Sequence, residues 1–446
     1  MKRPLKFSVL SVLVLTFIIA GCRKDPAIVV DPFSKNPDDY PADVALQWLN
    51  LERDMVWTTA GFTPPVVARS FGYTSLALYE SVLPGLKQNK SLIEQLDAHP
   101  TLPSAQANQE YYWPASANAA MAETMRGMFK NANGVKLQRI DSLENALNQK
   151  FTAQSSGEIL KRSSEFGKSI GNAIYQWSRT DKGDEGYLRN FPASYIPPSG
   201  DGTWVQTDNH TALQPYWGDN RPFRSEAISG SMMSAPLVFS TDQSSDFYKE
   251  AMEVYGMVKQ ATPEQIEIAN FWSCDPGTSS TPAGHSFSIL TQVLEKKNAS
   301  LGLAAEAFAK LGVALNDAFI CCWRDKYKYN LIRPVSYINQ YIDPNWKTIL
   351  NTPPFPEYAS GHSVESAASA TIMASFFGDE FMFDDHTNDS KGMKPRHFNR
   401  FSDFAKEAGI SRMYGGIHYR KGMEEGIKEG NRIGKVYSSI VLHSKS

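Results

Sequence analysis

Three stretches in the last third of the chain gather cations, histidines and glycines at spacings that could do chemistry. Lys326 and Arg333 lie seven positions apart, a separation that returns a helix to nearly the same face. Pro334 follows and disfavours helical backbone at Arg333, so this arginine is expected at a helix end with room to turn inward. Two cations on one face call for an anion, although a solvated Lys/Arg pair on a surface helix has the same signature. The second stretch, PPFPEYASGHSVESAASA at 353–370, leads through prolines and aromatics to Ser360-Gly361-His362 and then to small residues suited to a tightly packed helix. A helix start near Ser363 would present free N–H groups and a positive dipole end, which together bind anions. Ser360 could add a hydroxyl donor, Gly361 allows close backbone approach, and His362 is placed to give or take a proton. The ordinary alternative is a serine cap beside a surface histidine. The third stretch is SRMYGGIHYR, where Gly415-Gly416 separate Arg412 from His418. Arginine holds oxyanions in a bidentate fork, and His418 could act as nucleophile or metal ligand. A core histidine beside a surface arginine is the plain alternative.

The elements that must carry these residues read as helices. SSEFGKSIGNAIYQW places Phe166, Ile170, Ile174 and Trp177 on one face. The region around Asn133-Gly134 is helical on both sides, and the stretch from Gly302 to Asn330 keeps Leu311, Leu315, Cys322 and Lys326 near one face. No stretch alternates like a strand. Loops rich in Gly, Pro, Asp and Asn are expected at 179–222, 274–284 and 384–400, long enough to suggest function or disorder. The chain has 446 residues, 42% of them apolar, and net charge −2. That length allows two or three domains or one large helical one; a weak boundary falls in 200–230. The mild negative charge and the lack of a basic run argue against nucleic acid as a partner.

Taken in order, Lys-x6-Arg-Pro, Ser-Gly-His and Ser-Arg-x5-His resemble the superfamily shared by type 2 phosphatidic acid phosphatases, bacterial non-specific acid phosphatases and vanadium-dependent haloperoxidases. The motifs span 323–422. The resemblance implies an all-α, haloperoxidase-like fold of helical bundles around a buried oxyanion site. It also implies one cage: Lys326, Arg333 and Arg412 neutralise the oxyanion, Ser360 and the Gly361 N–H donate to it, His418 bonds its central phosphorus or vanadium, and His362 serves as acid–base group. Trp323 and Phe355 match aromatics on the halide side of fungal chloroperoxidases. NFWSCDPGTSSTP at 270–282 resembles the segment carrying an acidic partner for the site arginines, which would be Asp275. One departure stands out. The family usually has an aspartate four residues after the third-motif histidine, and here that position is Gly422. Glu424 and Glu425 lack the spacing. His418 is therefore expected to be less firmly oriented unless a backbone carbonyl stands in, and Gly422→Asp should tighten oxyanion binding. The function expected is a vanadate-dependent haloperoxidase that oxidises halide with peroxide. Alternatives are an envelope acid phosphatase acting through a phosphohistidine at His418, and a lipoprotein that only binds phosphate or vanadate. Multi-span lipid phosphatases are excluded, because no later segment approaches about 18 uncharged apolar residues.

The N-terminus adds an address. MKRPLK is basic, residues 7–20 are apolar but too short to span a bilayer comfortably, and Ile19-Ala20-Gly21-Cys22 resembles the bacterial lipoprotein cleavage box. This predicts a signal at 1–22, lipidation of Cys22, a tether at 23–42 and one domain at 43–446, with its motif-bearing core at about 265–440. The expected location is the bacterial cell envelope, periplasmic or on the outer membrane; an ordinary secretory signal is the alternative. Cys274 could bridge Cys321 or Cys322, or all three could be buried thiols. His285, just after the Asp275 loop, could face the pocket. His386 and His397 lie in a charged loop that reads as a metal site or a solvated insertion. His99, His210 and His443 belong to no constellation.

Overall fold

The computed structural model describes residues 34–207, 210–230 and 233–443. The signal stretch, Cys22 and the tether up to residue 33 lie outside the described residues. From Ser34 onward the expected tether is docked rather than free. The Leu301 N–H donates to the Tyr40 carbonyl at 2.8 Å, the Ala42 N–H to Ala299 at 3.0 Å, and Pro37 and Ala42 are buried.

The described residues are overwhelmingly helical. The first half carries α1 (Asp43–Thr58), α2 (Pro64–Val82), α3 (Trp113–Met128), α4 (Gly134–Phe151) and α5 (Gly157–Ser178). The second carries α6 (Ser225–Ser229), α7 (Asp246–Lys259), α8 (Pro263–Phe271), α9 (Thr281–Lys296), α10 (Leu301–Tyr329), α11 (Pro334–Tyr341), α12 (Gly361–Phe377), α13 (Phe401–Tyr414) and α14 (Arg420–Ser438). The chain is helical on both sides of Asn133-Gly134, as the sequence suggested, and Asn133 caps α4 through its side chain. Phe166, Ile170, Ile174 and Trp177 are all buried on α5. One departure from the all-helical reading is a short antiparallel pair inside the 384–400 loop, β1 (Phe383–Asp385) with β2 (Arg396–Phe398).

Buried residues from both sides of the 200–230 stretch pack into one core. Phe71 of α2 stacks on Phe287 of α9 with ring centroids 4.1 Å apart, and Phe287 stacks in turn on Phe308 of α10 at 5.7 Å. Burying each such ring contributes about 1.5–3 kcal/mol. Helix α10 is buried along most of its length, not on one face. Several of its charged residues are therefore inside, among them Glu306, Lys310, Asp317 and Lys326. Asp317 accepts from the Phe223 and Arg224 backbone N–H groups at 2.9 and 3.0 Å, which pins the long connecting loop to the central helix.

The end of α10 sets the geometry of the site. Asn330 adopts left-handed backbone (φ 47°, ψ 41°) as the C-cap, which stops the helix after Tyr329. Arg333 then caps the start of α11 in extended conformation, with Pro334 as the first helical residue. Lys326 and Arg333 are thus not on a common helix face. They meet because the chain turns between two helices.

Candidate active site

A cavity of about 860 Å³ opens between the α1–α2 loop, the 274–282 loop, the proline-rich approach to α12 and the α13–α14 turn. Trp323, Phe355, Asp275, Gly361, His362, Arg412 and His418 line it. Lys326, Arg333 and Ser360 lie behind that wall, with no solvent exposure. The six cage residues chosen from spacing therefore converge on one place.

His418 is delivered by the turn between α13 and α14. Gly416 takes φ of +80° there, a conformation an L side chain would strain, and a Cβ at this residue would also meet Val258 at 2.9 Å. His418 Nε2 lies 3.2 Å from Arg333 Nη1. A guanidinium has no acceptor, so Nε2 offers its lone pair and Nδ1 carries the proton. That proton goes to Glu357 Oε1, 2.7 Å away. Burial and the charges of Arg333, Lys326 and Arg412 hold the His418 imidazolium well below its usual range, so the ring is neutral.

Glu357 overturns the expectation drawn from Gly422. It comes from the approach to α12, is fully buried, and accepts from both His418 Nδ1 and the Tyr419 N–H, the latter at 3.1 Å. A Cβ at Gly422 would sit only 2.5 Å from Glu357 Oε1. The missing aspartate has thus been replaced from another segment, and the glycine leaves the space that the new carboxylate fills. His418 is oriented, and Gly422→Asp would collide rather than help. Sequence reading missed Glu357. Its available signal was a single acidic residue inside an apolar run three positions before Ser360. Burial pushes the Glu357 carboxyl up to about 7, opposed by Lys326 and Arg333.

Lys326 does not reach into the cavity. Its ammonium donates to the carbonyls of Pro356 (3.1 Å), Glu357 (2.9 Å) and Ala359, so it clamps the approach while adding charge beneath the site. Burial pulls it down to about 7. Arg333 donates from Nε to Phe355 O and from Nη1 to Ile417 O, each at 2.8 Å, and Arg412 donates from Nη1 to Trp272 O at 2.7 Å. Of the nitrogens of these two arginines, Arg333 Nη2 and Arg412 Nε are buried and have no partner among the described residues. An unpaired buried guanidinium N–H costs about 1–3 kcal/mol, a cost that an anion accepting from it would offset.

Ser360 caps α12 by accepting from Ser363 N at 3.4 Å, which leaves its O–H to donate. Gly361 opens the helix, so its N–H has no intrahelical acceptor. His362 Nε2 faces the Trp272 carbonyl at 3.0 Å and must carry the proton, which leaves Nδ1 as the acceptor. Burial and Arg412 hold its pKa well below the usual value. Trp323 donates from its indole to Leu213 O at 3.2 Å, and its ring lies 5.1 Å from that of Phe355. Phe355 in turn lies under Arg333 at 4.8 Å and Lys326 at 4.9 Å, distances that suit cation–π contact. Asp275 is at the cavity wall and accepts from Ser273. Burial lowers the Arg412 pKa, and the charge of Asp275 opposes that shift.

The remaining histidines separate. His285 is not on the cavity wall; it is buried behind it between Cys274 and Asp385. His386 and His397 pair with Asp389 and Asp384 on the surface, and no group of three His, Cys, Asp or Glu side chains among the described residues is arranged to hold a metal ion. His210 lines the outer cavity and stacks on Phe191 at 5.0 Å. Cys274, Cys321 and Cys322 are buried, with no disulfide among them.

A buried neutral histidine beside Arg333, with Arg412 and a capped helix start on the same cavity, is a donor set of the kind an oxyanion needs. The family described as VCPO second helical-bundle domain matches residues 306–444. The chain is similar to the first bacterial vanadium-dependent iodoperoxidase of known structure, with 32% identity over 92% of this chain and 99% of that one, and a TM-score of 0.82. It shares its fold with holo- and apo-type bacterial vanadium-dependent chloroperoxidases, each 16% identical over 86% of this chain, and covers 93% and 97% of theirs, with TM-scores of 0.63 and 0.60. No curated protein sequence matches it. The chain belongs to the vanadium-dependent haloperoxidase family. No helix among the described residues is long and apolar enough to cross a membrane.

Proposed function

We propose that this chain is a vanadium-dependent haloperoxidase that oxidises halide with peroxide, with iodide as the foremost halide. The observation that carries the reading is the pair of unpartnered buried donors, Arg333 Nη2 and Arg412 Nε, on two arginines that share the site with His418, Arg333 beside its Nε2 and Arg412 on the same cavity wall. A multiply charged tetrahedral oxyanion fits such a donor set, and vanadate satisfies it while accepting a bond from neutral imidazole. When bound, vanadate activates peroxide toward a halide ion.

The protein's own groups do the rest. Lys326, Arg333 and Arg412 bring fixed positive charge to a water-poor site, where preorganised charge stabilises more than in water. Ser360 and the Gly361 N–H add donors. Glu357 holds the His418 ring in the tautomer that leaves Nε2 unprotonated, so that a vanadium centre would replace Arg333 Nη1 as the partner of its lone pair. His362, neutral and fixed through Nε2, takes and returns a proton at Nδ1. Trp323 and Phe355 supply an apolar wall for a large soft anion, and Asp275 sets the charge beside Arg412. The preference for iodide rests on the 32% identity to the iodoperoxidase against 16% to the chloroperoxidases. Lipidation at Cys22 would place the enzyme at the bacterial cell envelope.

The test is one purified sample assayed twice. Peroxide with iodide, and separately with bromide, should give vanadate-dependent halide oxidation. Hydrolysis of p-nitrophenyl phosphate without vanadate should be slow by comparison. Phosphatase turnover with no halide oxidation would replace this reading by the acid phosphatase. Activity in neither assay, with retained oxyanion affinity, would leave a binding protein.

A further inference from the structure

Cys274, His285 and Asp385 form a hydrogen-bonded line outside the oxyanion cage. Cys274 Sγ lies 3.3 Å from His285 Nδ1, and His285 Nε2 lies 2.6 Å from Asp385 Oδ2. Three separate elements bring them together: the loop after α8, helix α9 and strand β1. Their exposures are 4%, 2% and 0%. Asp385 is itself fixed, since its Oδ1 accepts from Thr387 N at 2.9 Å. The Trp272 indole stacks on the imidazole at 4.5 Å and closes one of its faces. The line is buried, but its sulfur end is not sealed, because Cys274 also lines the 860 Å³ cavity beside Asp275 and Arg412.

A buried carboxylate that orients an imidazole toward a thiol is the arrangement that removes the thiol proton and makes sulfur nucleophilic. A histidine serving only the core needs its two nitrogens satisfied, not a carboxylate on one side and a pocket-facing thiol on the other. Burial opposes a charged His285 ring, but Asp385 and Cys274 outweigh it and push its pKa up to about 10. Asp385 is correspondingly held below the usual carboxylate range despite its burial. The other two cysteines sit in different surroundings. Burial pushes the Cys322 thiol up to about 11, and Cys321 donates to Glu429 at 3.2 Å.

We propose that Cys274 is a peroxide-reactive thiol site, with His285 as its base and Asp385 as the group that holds the ring. The Cys274 proton passes to His285 Nδ1. The sulfur lone pair attacks one oxygen of hydrogen peroxide, an S–O bond forms and the O–O bond breaks. The departing hydroxide takes the proton from His285 and leaves as water. Sulfur is oxidised by two electrons to the sulfenic acid, and peroxide is reduced by the same two. The site does not depend on vanadate or halide.

The test uses the full chain in buffer free of vanadate and halide, treated with hydrogen peroxide and a 1,3-dione probe for sulfenic acid, followed by peptide mass spectrometry. The Cys274 peptide should be labelled at least about 10-fold faster than those of Cys321 and Cys322, as thiolate character and access dictate. A folded His285→Gln variant should slow that labelling by about 10-fold, with Asp385→Asn between it and wild type. Should those variants fail to fold, as judged by thermal melting, the comparison of the three cysteines within wild type decides. Equal labelling of all three, no label on Cys274, or a folded His285→Gln labelled at the wild-type rate would overturn the proposal. None of these outcomes touches the haloperoxidase reading, which is measured with vanadate and halide present.

Discussion

Removing the Glu357 carboxylate should loosen vanadate, and moving it to position 422 should partly restore the hold. Glu357 Oε1 accepts the His418 Nδ1 proton at 2.7 Å from a fully buried position. Glu357→Ala leaves that N–H without its acceptor and lets the ring choose the other tautomer. Loss of such an orienting partner typically weakens a ligand site by about 10–100-fold, or roughly 1.4–2.7 kcal/mol. Gly422→Asp alone should also weaken binding, because its Cβ would lie 2.5 and 3.0 Å from the two Glu357 carboxylate oxygens. Its backbone is not the obstacle: the residue lies in the first turn of α14 with φ outside the left-handed region. The double change Glu357→Ala/Gly422→Asp places a carboxylate in the vacated space and should recover at least about a third of the free energy lost, as expected for strongly coupled neighbours. The assay is a vanadate titration of each metal-free protein, followed by calorimetry and by restored iodide oxidation, with thermal melts to confirm folding. A folded Glu357→Ala protein that binds vanadate as tightly as wild type would refute the argument. So would a single Gly422→Asp variant of unchanged affinity.

The two site histidines should separate by what they lose. His418→Ala should abolish vanadate binding in calorimetry, whereas His362→Ala should keep affinity and lose turnover by about 100- to 10,000-fold, the usual value of a proton-transfer group. Buried Glu52, bonded to Ser70 and Thr74 at 2.7 Å each, has its carboxyl pushed by burial from 4.5 up to about 7. Because the folded state holds this proton more tightly, the stabilisation is complete below pH 4.5 and is lost as pH rises through 7. Glu52→Gln should therefore stabilise the fold by about 3 kcal/mol at pH 8 and by almost nothing at pH 4, measured by denaturant melts. Cys22→Ser should block lipidation and release a folded protein into the soluble fraction of its host; retention in the membrane fraction would point to another anchor.

Much of the site is legible in the sequence because its residues are improbable where they stand. Arginine before proline, histidine after glycine at a helix mouth, and glycines between arginine and histidine all mark places where backbone and charge are being positioned. Other parts are not legible. The left-handed turn at Asn330 breaks the helix phase assumed for Lys326 and Arg333, and nothing in the periodicity announces it. Periodicity finds the buried face of α5, yet it cannot show that α10 is buried all round, since that depends on helices packed from distant segments. Gly422 read alone looks like the loss of a partner. Only in three dimensions does it become the space for Glu357, a residue 61 positions before His418 in the chain. The Cys274–His285–Asp385 line is hidden for the same reason, because its carboxylate comes from a loop whose short β pair is invisible to helical patterns.

The most direct test of the central claim is anomalous diffraction from crystals of the full chain soaked in orthovanadate. The account predicts one dominant vanadium peak, bonded to His418 Nε2, with Arg333 Nη2 and Arg412 Nε donating to its oxygens. No peak at saturating vanadate, or a peak away from His418, would contradict it.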